Sequence, residues 1–497
     1  MHDRQDPTSN TEKASWWPTL IVVGLFLLIA APMIALQHDR GRGRFDQLNY
    51  HEPAVLRFAE QWPTPDVSDY LSATTPAYHL VLAVVARFVS PSPVALQATG
   101  ALFTVGLLVV FTRWLSLTLT RGRQGVVTAT LLGLSLIASL YVFSAGVYIL
   151  PDNAAWLGVL GILLLALRPR ADLGLYLGGG AILLALVLTR QSHLWALGVL
   201  FASAWLGSAF EPKSSGFHEI GALLTRPALR LSRLAVMILC ALPALGALLW
   251  FARLWGGLTV PIYHDYMKGP NPATPAIILA QMGVIGAFHV GFWWRGGVTM
   301  LRERRGVLAL ALIGGLAVLV GPATTYDRAA GRYSGLWNLL DKAPDLAGHT
   351  NLGVLVLGVA GVVAITGWLA GLDARRRWIL LGALVAFAAA VSVPKNAWTR
   401  YHEPMLLMWG ALASASAVAR VRASDRERFV RTLGLIGLVV FLSGITVIKL
   451  STEERIVVPK QSQPSIETPL RSLWPDAWKA RWADDTAGPG AGNDAGD

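Results

Sequence analysis

One cysteine, Cys240, in 497 residues excludes an intrachain disulfide and any cysteine metal cluster. Charge is scarce as well: Asp, Glu, Lys and Arg make up 14% of the chain, where a soluble domain carries about 25%. A phosphate-binding glycine loop, a nucleophile elbow and a zinc-binding helix motif are all missing. No internal repeat is visible, although many secondary transporters are built from one. What is abundant is apolar surface, with 54% hydrophobic residues and a mean hydropathy of +0.50. These figures exclude a soluble multidomain enzyme, a disordered chain and a disulfide scaffold. The net charge of +12 does not point to nucleic acid, because most of the charged residues lie in short loops between apolar runs. The expected fold class is an all-α polytopic membrane protein.

A helix needs about 20 apolar residues to cross the hydrocarbon core. Thirteen runs qualify: 16–36, 95–119, 126–148, 152–167, 173–189, 193–210, 234–254, 275–294, 306–322, 351–372, 378–393, 404–419 and 432–449. The first is expected to be a retained anchor, since its apolar core is too long for a cleaved signal peptide. With residues 1–15 as a cytoplasmic tail, the inside loops collect 20 Lys and Arg, among them Arg226, Arg230, Arg295 and Arg375–Arg377. The short outside loops collect 7, including Arg190, Lys395 and Arg400. The positive-inside rule then places the N-terminus in the cytoplasm and the C-terminus outside. The expected division is a transmembrane domain over 16–450, a long outer loop over 37–94, and an outer tail over 451–497. Residues 76–89 are too short for a span and are expected on the outer surface. In the tail, Trp474, Trp478 and Trp482 share a helix face that suits either the headgroup region or packing on the first outer loop, ahead of a Gly/Asp-rich end expected to be disordered.

Ionisable groups cluster at the outer ends of the spans: Asp152, Arg190, His193, Lys395, Arg400, His402 and Glu403. Such groups at membrane depth are functional candidates. Asp46, in RFDQLNYHEP, has His51 and Glu52 close behind and suits a general base; a loop aspartate capping the next helix is the plainer alternative. Arg190 in TRQSHLW can grip a phosphate with its fork, or snorkel to the headgroups. Lys395, Arg400 and His402 in PKNAWTRYHEP form a second cationic group. His264 and Asp265 are exposed-loop residues, for which substrate contact and a plain solvated loop are both open readings, and His289 suits a hydrogen-bonded core histidine. Asp66 and Asp69 lack the spacing of a chelating pair, so no metal and no cofactor is expected.

These residues resemble the GT-C superfamily of integral-membrane glycosyltransferases, and within it the dolichyl-phosphate-glucose α-1,2-glucosyltransferase family. That family's Asp-Glu-x-Phe-His-x-Pro pattern after the first span is similar to Asp46 through Pro53, with one residue more and Gln47 in place of the second acid. Thr74-Thr75-Pro76-Ala77-Tyr78, Arg190-Gln191-Ser192-His193-Leu194-Trp195, Gly256-Gly257-Leu258-Thr259-Val260 and Thr399-Arg400-Tyr401-His402 follow in the family's order. The resemblance implies an inverting transfer of a hexose from a polyprenyl-phosphate donor to a lipid-linked or cell-envelope glycan acceptor. Asp46 or Glu52 would be the base. Arg190 and Arg400, with Lys395 or His402, would hold the departing phosphate. Tyr50, His51, Thr75, Gln191, His193 and Tyr401 would line the substrate, with His264 beside them. Membrane lipids are the remaining partners, nucleic acid is not one, and the residue usage suggests a bacterial inner membrane. A lipid or sugar transporter or flippase is the alternative, and it predicts polar groups at mid-span, where His289 is nearly alone. A catalytically inert membrane scaffold is a third reading.

Overall fold

The computed structural model describes residues 14–119, 122–169, 171–207, 221–264, 269–323, 334–418 and 424–453. Its α-helices, in chain order, are α1 (Trp17–Ala35), α2 (Arg42–Asp46), α3 (Glu52–Glu60), α4 (Ala77–Phe88), α5 (Pro93–Thr118), α6 (Gly122–Ile137) and α7 (Leu140–Val147). They continue as α8 (Asp152–Ala166), α9 (Gly179–Thr189), α10 (Ala196–Leu206), α11 (Pro227–Trp255), α12 (Thr274–Phe288), α13 (Val290–Glu303) and α14 (Arg305–Val320). The last are α15 (Leu336–Leu340), α16 (Leu352–Ala370), α17 (Ala374–Val391), α18 (Glu403–Val418) and α19 (Asp425–Thr452). Among the described residues the only strands are β1 (Asp345–Leu346) and β2 (Thr350–Asn351), an antiparallel pair. Among the described residues five helices, α1, α5, α11, α16 and α19, are each long and apolar enough to cross a membrane, and counting each of two bent pairs as one span gives up to seven. The protein is an all-α polytopic membrane protein.

The described residues of the thirteen expected runs are largely helical, and two of the runs are sharply bent. The run 126–148 bends by 70° between α6 and α7, where Ser139 caps the new helix through Val142 N–H. The run 275–294 bends by 108° at His289. There the His289 N–H is shared between the Ile285 and Gly286 carbonyls, both at 3.1 Å, which closes α12. The chain leaves as α13, burying Gly291, Phe292, Gly296 and Met300 while Arg302 stays exposed. This second half is amphipathic.

Close backbone contact holds the helices together. A Cβ on Gly283 of α12 would lie 2.0 Å from the Leu357 carbonyl oxygen of α16, and one on Gly361 would lie 2.0 Å from that of Leu279. Lipid removes most of the hydrophobic drive between apolar helices, so small residues and dispersion carry the association.

Polar contacts sort the helix ends into two sets. In the first, Gln37 after α1 donates to Gln97 of α5 at 2.6 Å, and Asn271 before α12 donates to the Lys395 carbonyl after α17 at 2.9 Å. In the second, Arg113 near the end of α5 donates to the Ala14 carbonyl before α1 at 2.8 Å. Arg375, opening α17, donates to Ala166 O ending α8 (2.8 Å) and to Gly207 O after α10 (2.9 Å). The terminal carbonyls of a helix have no partner of their own, and little water reaches them in a membrane. The arginine fork supplies the donors. Helices α1, α5 and α17 each have one end in each set, so they run alternately up and down.

At the first set of ends, α3 and α4 form a small roof. Val55, Phe58, Tyr70, Tyr78 and Leu82 bury against Phe251 and Trp255 at the end of α11 and Val260 beyond it. The expected surface segment 76–89 is therefore α4, packed on α3. The N-terminal tail up to residue 13, Asp265, and the tail with Trp474, Trp478 and Trp482 lie outside the described residues.

Candidate functional site

The stretch from Arg42 to Glu60 is continuously helical, but Gln47–His51 forms one π turn between α2 and α3. Single π turns admit an extra residue into a helix and re-aim the side chains around them. Here the turn begins directly after Asp46. Gly43 brings α2 against Tyr148, whose ring would lie 2.4 Å from a Cβ at that position. Asp46 ends a helix instead of capping one, and only 3% of its surface is exposed. Arg42 Nε lies 3.1 Å from its Oδ1, and Arg400 Nη1 donates to its Oδ2.

Arg400 stands on a 3-10 turn, Thr399–Tyr401, just before α18. Its Nη2 donates to the Tyr401 hydroxyl at 3.2 Å, and its Cζ lies 5.0 Å from the Tyr401 ring centre. Arg190 leaves α9 in an extended conformation and brings its Cζ to 4.9 Å from the same ring. Its Nη1 lies 2.5 Å from Asp152 Oδ1 at the start of α8. One aromatic ring thus joins two arginine–carboxylate pairs drawn from four distant parts of the chain. Arg190 is 8% exposed, buried beside a partner instead of snorkelling. Burial opposes the charge of Arg400, but Tyr401, Asp46 and Asp152 outweigh it and hold the guanidinium protonated. With Arg42, three guanidinium groups face two carboxylates, which leaves a positive surplus suited to an anion.

Behind this quartet lies a histidine pair. His51 Nδ1 is 2.9 Å from His79 Nε2, and the rings stack. Burial pushes His51 down to about 3 against the pull of Asp152, and pushes His79 well below the ordinary range. Both are neutral at pH 7, so one ring donates to the other. Glu52 is fully buried and accepts from Gln47 Nε2 at 2.8 Å. Gln47 in turn accepts from Gln97 Nε2 at 3.0 Å and Ile149 N at 3.3 Å.

The other expected site residues divide. Gln191 accepts from Thr75 N (2.9 Å) and donates to the Ala73 and Leu258 carbonyls (2.8 Å each), while the Thr75 hydroxyl donates to Val187 O at 2.6 Å. Both residues pin the loops around the site. His264 is half-buried, not exposed, with Nε2 2.9 Å from the Thr259 carbonyl. Tyr50 packs edge-on against Phe45 and Tyr263. Lys395 is half-buried, and no described ion pair joins it to the quartet. His193 accepts from Trp195 Nε1 at 3.2 Å and lies against Trp156. His402 is 0% exposed, packs edge-on to Phe387, and neither ring nitrogen has a hydrogen-bonding partner. Burial drives it down to about 3, so it is neutral and stands apart from the arginines. His289 bonds the Ile285 carbonyl at 3.0 Å, the core role expected of it. Asp66 accepts from Ser68 and pairs loosely with Arg57 at 3.6 Å.

Two members of the site escape sequence reasoning. Arg42 is signalled by its i, i+4 spacing to Asp46, but among Arg40, Arg42 and Arg44 it looks like one more interfacial cation. His79 is signalled as a polar residue on the buried face of an amphipathic helix. Among the described residues no group of three His, Cys, Asp or Glu side chains stands ready to hold a metal ion. Compared with known protein families, curated proteins and solved structures, the chain matches none.

Proposed function

We propose that the protein is an inverting glycosyltransferase of GT-C type. It would move a hexose from a polyprenyl-phosphate donor to a lipid-linked or cell-envelope glycan acceptor at the outer membrane face. The observation that carries this reading is the pairing of Asp46 with Arg400 and of Asp152 with Arg190 around Tyr401. A carboxylate and two guanidinium groups brought together from separate helix ends supply a base and a phosphate clamp. The acceptor hydroxyl gives its proton to Asp46 as its oxygen bonds the anomeric carbon. The bond from that carbon to the phosphate oxygen breaks, and the phosphate leaves with the electron pair. Arg190 and Arg400 stabilise the charge that develops on it. Asp46 is favoured over Glu52 because Glu52 is wholly enclosed and tied to Gln47.

Other features support the same reading. The likeness of Asp46–Pro53 to the family pattern requires one residue more, and the π turn at Gln47–His51 accommodates one. Thirteen spans with a cytoplasmic N-terminus agree with the alternation of helix ends and with the excess of arginine in one set of loops. The bacterial inner membrane is the proposed setting, with periplasm outside.

The transporter alternative draws on Gln281, whose two amide atoms are buried without a partner inside α12. One experiment separates the two. Purified protein in liposomes is given radiolabelled polyprenyl-phosphate hexoses and an extract of lipid-linked acceptors. The transferase predicts label in a new product; labelled lipid crossing the bilayer with no product overturns it in favour of the transporter.

A further inference from the structure

We propose that Asp46 is an internal stand-in for the substrate phosphate. In the ligand-free protein its carboxylate occupies Arg400, and an arriving phosphate monoester takes that place and releases the carboxylate to act as base. The proposal rests on the transferase reading and adds a regulation of the same site.

The starting point is that both Asp46 oxygens are engaged, Oδ1 by Arg42 and Oδ2 by Arg400. A general base must turn a lone pair to the acceptor hydroxyl; each Asp46 oxygen keeps a second one, but the two guanidinium groups fix the direction in which the carboxylate points. The two clamps differ in strength. The Arg42 side chain is 59% exposed, so water and salt screen that contact. The Arg400 side chain is 26% exposed, so its contact with the same carboxylate is the better shielded of the two and is the one that must open.

Arg400 is suited to exchange one anion for another. Its Nη1 goes to Asp46 and its Nη2 to Tyr401, while the buried Nε has no hydrogen-bonding partner. A carboxylate offers two oxygens to such a fork; a phosphate offers three and a higher charge. Arg190, stacked on the same tyrosine, brings a second guanidinium within reach of the incoming group. Both backbones are anchored: Arg400 sits beside Thr399, whose N–H and hydroxyl bond Ser334 at 3.0 and 2.7 Å, and Asp46 lies on the continuous helix Arg42–Glu60. Opening the contact therefore takes a side-chain rotation, and the short carboxylate arm has only two bonds to turn.

A stand-in competes with the ligand it imitates, so removing it must tighten phosphate binding. The test measures equilibrium retention of a polyprenyl monophosphate by the full-length protein in nanodiscs, with inorganic phosphate as a second probe. Asp46→Asn and Asp46→Ala should bind about fivefold more tightly than wild type, as expected on freeing one partly screened ion pair. Arg400→Gln should lose most of the affinity. Both probes should rank the variants alike, and the ratio of their affinities tells whether the site takes a membrane-borne or a free phosphate. In wild type, which depends on no variant's folding, the phosphate lipid should raise carbodiimide labelling of the Asp46 peptide. Equal or weaker binding by the Asp46 variants, or labelling that does not rise, overturns the stand-in. If wild type still transfers hexose in that event, only this proposal fails. If neither wild type nor any variant retains polyprenyl phosphate, the transferase reading fails with it.

Discussion

A buried carboxylate held by an arginine answers to substitution differently from a loop carboxylate, and the pair Asp152–Arg190 makes this measurable. Asp152→Asn leaves the Arg190 guanidinium enclosed without its counter-charge, and breaking such a pair costs about 3 kcal/mol. The variant should melt clearly below wild type in detergent. His402 behaves in the opposite way. It is buried with both ring nitrogens unbonded, so His402→Phe removes an uncompensated polar group and should be neutral or stabilising. Its pH response follows from linkage: the folded ring titrates at about 3, whereas an unfolded one titrates near 6.5. Between those values the unfolded chain binds a proton that the folded one does not, so stability falls as pH drops, by about 1.4 kcal/mol per pH unit. Melting curves from pH 7 to pH 5 should show a shallower acid decline in His402→Phe; an unchanged decline contradicts the assignment. At this scale Asp46, Arg190 and Arg400 were legible, because charged residues at the ends of apolar runs stand out. The direction a side chain takes was not, so His402 looked like a partner of Arg400 although it points into the bundle.

Among the elements, the apolar runs revealed where helices lie but not where they break. Hydropathy averages over a window and carries no direction, so the 108° bend at His289, made without proline, leaves no mark in it. Small residues were legible as close packing, although which pairs meet depends on the tertiary arrangement. Gly361→Leu sets a side chain against the Leu279 carbonyl and should destabilise α12–α16 by more than the 1–3 kcal/mol typical of overpacking, read as loss of monodisperse protein on gel filtration. Gly314→Leu on α14, where nothing lies within 4 Å of a Cβ, should elute as wild type does.

For the whole molecule, the scarcity of charge and the 54% apolar content defined the class, and the arginines expected on the inner side have a second use. Arg375 and Arg230 cap helix ends by donating to carbonyls such as Ala166 O and Trp205 O, so the residues that set the expected orientation also close the bundle. Orientation itself can be tested on a cysteine-free Cys240→Ser background. Thr64→Cys on the roof should react with an impermeant maleimide applied outside cells, and Asp425→Cys at the start of α19 should react only after the membrane is opened. The reverse pattern contradicts the assigned sides.

The most direct test of the central claim is hexose transfer by the reconstituted protein with its quartet altered one member at a time. Asp46→Asn should lose about 10²–10⁴-fold in rate, as expected for removal of a general base. Arg400→Gln should lose about 10²–10³-fold, the usual cost of removing a group that stabilises developing charge. Folded Asp46→Asn protein that transfers hexose at the wild-type rate would contradict the account.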